Sequence, residues 1–400
     1  MKKLIVSLSI LAAACSETPD APQHDYQADA DKIAHSIIIA DTHIDVPYRM
    51  KDKWEDTSRS TETGNFDYPR AVAGGLDAPF MSIYTPAEYD GTPKAKQNAD
   101  AMIDIVERMV AEAPDKFIIV RTVAETKAAV AEGKIALPLG MENGSPISGD
   151  LANLDYFFER GIRYITLAHA KSNEISDSSY DPHHQWNGLS DFGKTVVQHM
   201  NELGIMVDVS HISDDAFYDV IEVSATPVLA THSSARKFTP GFERNMSDEM
   251  IKKLAEHDGI IMINYGSSFL TEEANKYGSI QSDAYKAYLA ESGAEENEET
   301  LEAFEEEYKL SHPYPYADIE DVLDHIDHVV SLTSVDHVGI GSDYDGVGDS
   351  LPTGLKDVSS YTNLIAGLLK RGYSKADIEK IMSGNLFRVW QAVEAYAEGH

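Results

Sequence analysis

The chain has one cysteine, Cys15, in 400 residues, so no disulfide can form within it and its stability has to come from packing. Basic residues are also scarce. Lys and Arg number 33 against 67 Asp and Glu, a formal net charge of −34. Such a surface repels phosphate backbones and anionic head groups, which excludes nucleic acid as a partner and a lipid surface as an electrostatic one. The apolar stretch 4–14 is too short to cross a bilayer as a helix. No glycine-rich dinucleotide fingerprint follows the first strand candidate, which counts against an open, doubly wound sheet. What is present is an ordinary globular composition, 42% hydrophobic and 25% charged. It comes in a length that fits one large α/β barrel with insertions.

The first residues read as a leader. Met1-Lys2-Lys3 precedes the apolar stretch, and Ala12-Ala13-Ala14-Cys15 resembles a bacterial lipobox, with Ala12 where Leu is usual. Residues 1–15 are therefore expected to be a lipoprotein-type signal peptide, with Cys15 acylated. An ordinary signal peptide with a chance cysteine is the alternative. Residues 16–28, with Pro19 and Pro22, read as a flexible tether. The expected location is the bacterial cell envelope, with the lipid anchor as the only membrane contact. Ser16 after Cys15 points to the outer membrane, periplasmic face.

From about residue 29 a β-then-α rhythm begins. Strand candidates are 36–45, 76–84, 134–142, 162–169, 205–211, 227–232, 259–265 and 337–343. Amphipathic segments such as 94–112, 190–203, 247–257 and 317–332 separate them. Eight such units predict closure into a (β/α)8 TIM barrel, one domain over 29–400. Two stretches exceed the rhythm. Residues 49–73 are expected to loop over the mouth. Residues 267–315, after the seventh strand, carry eight glutamates between 295 and 307 and read as a charged helical insertion with a solvated face.

Several strand candidates share an ending: an apolar run closes on one metal-type side chain. The first ends in His43-Ile44-Asp45, the third in Glu142, the fourth in His169, the fifth in His211, the sixth in His232 and the eighth in Asp343. Barrel enzymes carry their chemistry at that end. His43 and Asp45 share strand parity and point to one side, able to hold one ion. Glu142 has two oxygens to bridge to a second ion, for which His211 and His232 supply nitrogen. This mixed set suits two zinc ions. Each residue has a plainer reading: a hydrogen-bonded pair, a turn acceptor at Asn143-Gly144, a helix cap, an ordinary turn. Their joint occurrence at strand ends favours the metal. Asp41 shares the parity of His43 and is expected to orient an imidazole. His183, His184 and Trp186 read as loop residues near the substrate. Arg244 by itself reads as a surface salt bridge with Glu243 or Asp248.

In this order and spacing, these motifs resemble the membrane (renal) dipeptidase family of zinc peptidases, in the amidohydrolase superfamily. Further motifs carry the likeness: Gly140-Met141-Glu142-Asn143-Gly144, Trp186-Asn187-Gly188-Leu189, Thr231-His232-Ser233-Ser234-Ala235, Arg244-Asn245, Gly341-Ser342-Asp343-Tyr344-Asp345-Gly346 and Gly384-Asn385-Leu386-Phe387-Arg388. The likeness runs from about Ile33 to Glu394. It implies a binuclear zinc site on His43, Asp45, Glu142, His211 and His232, with a hydroxide between the ions as nucleophile. It also implies His169 beside the scissile carbonyl, Arg244 on the substrate carboxylate, and Asp343 as the group that moves the proton. Parity does not separate Asp343 from Asp345; only the resemblance does. The implied substrate is a small dipeptide, including those with a C-terminal D-residue. Alternatives are a related barrel hydrolase acting on another amide, lactone or ester, and a non-catalytic envelope lipoprotein. A homodimer is left open: relatives are often dimers, yet no isolated apolar patch marks an interface.

Overall fold

A parallel strand covered on both faces must be apolar throughout, and the short apolar runs of this chain meet that demand. The computed structural model describes residues 24–400, so the leader, Cys15 and the tether up to residue 23 lie outside the described residues. Its strands are β1 (Ile39–Ile44), β2 (Leu76–Tyr84), β3 (Phe117–Ile119), β4 (Ile135–Leu137), β5 (Leu139–Glu142), β6 (Ile162–Thr166), β7 (Met206–Asp208), β8 (Leu229–Ser233), β9 (Ile260–Ile263) and β10 (Val338–Ile340). Among the described residues, eight of them form one sheet in the order β1-β2-β5-β6-β7-β8-β9-β10, every neighbour parallel. Residues just past the strand ends join β10 back to β1. The Asp343 amide donates to the His43 carbonyl at 3.1 Å, and the Asp45 amide to the Tyr344 carbonyl at 2.8 Å. With helices between the strands, this is a (β/α)8 TIM barrel.

Two local differences from the sequence reading have physical causes. The expected strand 134–142 is split at Pro138, which has no amide hydrogen. Its first half, β4, pairs with β3 in a separate two-stranded sheet, and only its second half, β5, joins the barrel. β3 is three residues long, too short for alternation to reveal it. At the other end of the chain, the helix Tyr26–Ala34 begins inside the expected tether. Asp25 caps it, and Gln27 reaches Thr362 at 3.2 Å.

The insertion after β9 contains the helices Glu272–Ser292 and Glu298–Ser311, capped by Thr271 and Asn297. They meet where Phe304 packs on Tyr285 and Tyr288, ring centroids 5.3 and 5.4 Å apart, and where Tyr308 meets Tyr277 at 6.1 Å. Among the described residues no helix is long and apolar enough to cross a membrane.

The floor of the barrel is plugged by the helix Asn385–Ala397. Its Trp390 is fully buried, with its ring 5.3 Å from Phe80, which lies 5.5 Å from Tyr164. Tyr164 then reaches up to His43, its hydroxyl 2.8 Å from Nδ1. An aromatic column therefore runs from the floor to the mouth. It fits because β5 carries Gly140, where a Cβ would stand 2.0 Å from the Tyr164 ring. Gly278, in the exposed insertion helix, has open space instead. The same change should act oppositely at the two positions. Gly140→Ala should lose about 1–3 kcal/mol by overpacking, while Gly278→Ala should gain about 0.5–1 kcal/mol by lowering unfolded-chain entropy. Denaturant unfolding of both variants checks this; a shift of the same sign in both would contradict it.

Candidate metal centre

β1 delivers His43 and the residue after it in parity, Asp45, both buried. β5 ends on Glu142 and β8 carries His232. β6 and β7 end sooner than the sequence suggested, so His169 and His211 stand on the loops beyond them. His211 and Asp343 reach the mouth through left-handed backbone, with φ of +70° and +63°. Glu142 lies at the centre. Its Oε1 is 3.1 Å from His211 Nε2, 3.2 Å from His232 Nε2 and 3.4 Å from His169 Nε2. Its Oε2 is 3.5 Å from His43 Nε2, which is itself 3.4 Å from Asp45 Oδ2. The ligand atoms fall into three overlapping triads, each within 4.8 Å: His43-Glu142-His232, Glu142-His169-His211 and His43-Asp45-Asp343.

Electrostatics separates the roles of these groups. Burial alone would push the Glu142 carboxyl up, but the imidazoles around it outweigh burial and hold it well below the usual carboxylate range. Burial holds His211 and His232 well below the usual 6.5, reinforced at His211 by the Arg244 charge and at His232 by His43 and then Arg244. They are neutral imidazoles with nitrogen lone pairs. Burial, with Asp45 and Glu142 nearby, pushes Asp343 up to about 7. The Nε2 atoms of His211 and His232 lie 2.9 Å apart, and His43 Nε2 has no hydrogen-bond partner among the described residues. Acceptors thus converge here with few donors between them, and this set fits divalent cations with N and O ligands.

Arg244 is a correction to the surface reading. It is buried: Nη1 donates to Ser233 Oγ at 2.7 Å and Nη2 to the His232 carbonyl at 2.8 Å, with Phe269 5.3 Å from the guanidinium. Glu243 instead accepts from the Asp214 amide. Asp41 is a second correction. It orients no imidazole; its carboxylate accepts the amides of His43 and Ser342, each at 3.0 Å, and the Tyr361 hydroxyl. At that depth in the barrel the Tyr361 hydroxyl and these two amides supply its donors. Tyr164 takes the expected role by contacting the His43 ring. It was hidden in an apolar run, and a tyrosine facing a strand glycine was the available signal.

The two competing aspartates also part company. Asp343 Oδ2 accepts from Asn264 at 2.8 Å. Asp345 turns aside, accepting the Asn65 amide at 2.6 Å and lying 3.3 Å from Arg49 Nε. Arg49 also donates to the carbonyls of Thr63 and Phe66, which folds the stretch after β1 down beside the mouth. A cavity of about 750 Å³ opens over the centre, walled by Tyr48, Tyr84, His169, Tyr180 and Phe269. His183, His184 and Trp186 are not among its lining residues, and Trp186 is tied to the Asn173 carbonyl at 2.8 Å.

A parallel barrel that gathers four imidazoles and three carboxylates at its C-terminal mouth defines a metal-dependent hydrolase. The chain belongs to the membrane dipeptidase family, peptidase family M19, whose profile matches residues 27–400. It is accordingly a dipeptidase of the metallopeptidase kind. Solved structures agree. The probable dipeptidase PvdM from Pseudomonas aeruginosa is similar with a TM-score of 0.81 and 27% identity, over 93% of this chain and 99% of that one. The metallopeptidase described as dipeptidase AC gives 0.74 and 26%, over 89% and 98%. A metallopeptidase from Rhodobacter sphaeroides, solved with a phosphinate mimic of the dipeptide L-Ala-D-Ala, gives 0.73 and 25%, over 89% and 99%.

One glycine sets the spacing of the acids. A Cβ on Gly346 would fall 2.1 Å from Asp343 Oδ1 and 2.3 Å from Asp45 Oδ2. Gly346→Ala should therefore cut turnover by about 100-fold through displaced carboxylates, with little loss of thermal stability, since the glycine lines an open cavity. Turnover within threefold of wild type, a factor of about 0.7 kcal/mol, would contradict this.

Proposed function

We propose that the centre holds two zinc ions and that the enzyme hydrolyses free dipeptides, including those with a D-residue at the C-terminal position. One observation carries the reading: the two oxygens of Glu142 face different partners, Oε1 towards His211 and His232 and Oε2 towards His43. On that basis His43 and Asp45 would hold one ion, His211 and His232 the other, with Glu142 shared. When bound, such ions polarise a carbonyl and make water nucleophilic at neutral pH.

The remaining work falls to the chain's own side chains. Arg244, locked by Ser233 and the His232 carbonyl, presents a buried Nε with no partner among the described residues. Its fixed fork suits the substrate carboxylate. His169 stands over Glu142 at the cavity wall, placed to meet the scissile carbonyl as its oxygen gains charge. Asp343 is held through Oδ2 by Asn264, which leaves Oδ1 to take a proton and pass it to the leaving amine. The likeness to a structure holding an L-Ala-D-Ala mimic supports tolerance of the D-residue. The envelope location, with Cys15 as lipid anchor, completes the proposal.

The test is hydrolysis of L-Ala-L-Ala and L-Ala-D-Ala by protein starting near Ser16, stripped with chelator and then reconstituted with zinc. Cleavage of both is expected only after zinc is restored. Cleavage of the L,L dipeptide alone would remove the D-residue from the proposal. Failure with both, in protein shown to hold two zinc ions, would move the substrate to another amide or ester.

A further inference from the structure

Behind His232 runs a buried hydrogen-bonded chain that the proposed chemistry leaves unused. His232 Nδ1 is 2.7 Å from Thr231 Oγ1, and Thr231 Oγ1 is 2.7 Å from Asp208 Oδ2. The Thr166 hydroxyl meets the same Asp208 oxygen at 2.5 Å. Asp208 Oδ1 accepts the amides of Ser210 at 2.9 Å and Thr231 at 2.8 Å. Asp208, Thr166 and Thr231 are fully buried and His232 nearly so.

Donor counting fixes the direction of this chain. A carboxylate only accepts, and a hydroxyl has one proton to give. Thr231 gives its proton to Asp208, so towards His232 it can only accept. The proton must then sit on Nδ1, and Nε2 keeps its lone pair. That lone pair faces Glu142 Oε1 and His211 Nε2. His211 has no such restraint, because its Nδ1 has no partner among the described residues.

We propose that Asp208, acting through the Thr231 hydroxyl, locks His232 with its proton on Nδ1 and so reserves Nε2 for a metal ion. Both are positioning residues; neither touches substrate. The metal half of the inference rests on the centre described under Proposed function, whereas the lock itself is a property of the metal-free fold.

Two measurements test it. The first uses metal-free wild-type protein labelled with 15N-histidine. Long-range proton–nitrogen correlation spectra should show His232, assigned by loss of its signals in His232→Gln, as the Nδ1–H tautomer at neutral pH. An Nε2–H tautomer overturns the lock. The second is chelator competition with Zn2+. Thr231→Val should weaken one of the two ions by about 10–100-fold, the usual effect of losing a partner of a ligating histidine. Thr231→Ser, which keeps the hydroxyl, should bind as wild type. Wild-type affinity for both ions in Thr231→Val overturns the proposal. Should that variant fail to fold, the tautomer measured in wild type decides. Wild-type protein that takes up no zinc would overturn the metal reading, and the same metal-free spectra would still decide the lock.

Discussion

Glu142 puts a carboxylate at the buried centre of the barrel mouth, with Asp45 and Asp343 close by. Desolvated negative charge of that density is costly unless positive charge answers it. The immediate neighbours are imidazoles: burial holds His211 and His232 low, and His43, held well above the usual 6.5 by Tyr164, Glu142 and Asp45 against its own burial, answers the three acids with a single charge. The geometry of every other group follows from this imbalance. Histidines arrive from four different strand ends to face one carboxylate, and Arg244 stands beside them, bonded to the His232 carbonyl with its guanidinium 5.3 Å from Phe269 of the cavity wall. Metal cations between these groups would answer the remaining imbalance, which is why the arrangement makes sense as a metal centre.

The fold supports that centre from beneath. Trp390, Phe80 and Tyr164 form a column that ends on the His43 ring, and the stacking of His43 on His232, centroids 3.8 Å apart, continues it across the mouth. Barrel closure is part of the same construction. The amides of Asp343 and Asp45 make the hydrogen bonds that join β10 to β1, so two of the acids are placed by the seam of the barrel itself. Asp41 pins that seam from within by holding the amides of His43 and Ser342. Packing at the floor and ligand positions at the mouth are therefore one mechanical unit.

Much of this was legible in the sequence because parallel barrel strands are short, apolar and end on their chemistry. The eight-strand rhythm and the gathering of His43, Asp45, Glu142, His169, His211, His232 and Asp343 at one end follow from that rule. What escaped was whatever depends on depth or direction rather than on period. Pro138 divides one expected strand in two, and the run around Phe117 is too short to announce itself. Arg244 has the local look of a surface arginine, and only the tertiary fold buries it against the His232 carbonyl. Tyr164, Thr231 and Asp208 read as members of apolar runs, since hydroxyl-to-imidazole contacts arise between strands far apart in sequence. Asp343 and Asp345 share parity, and a left-handed turn at each, together with Asn65 and Arg49, sends them different ways.

The central claim is that one carboxylate, Glu142, serves two metal ions. Diffraction from zinc-reconstituted crystals, recorded on both sides of the zinc absorption edge, tests it most directly. The account predicts two anomalous peaks per chain, one beside His43 and Asp45 and one beside His211 and His232, each in contact with an oxygen of Glu142. A single peak, or two peaks of which one lies beyond reach of Glu142, would contradict it.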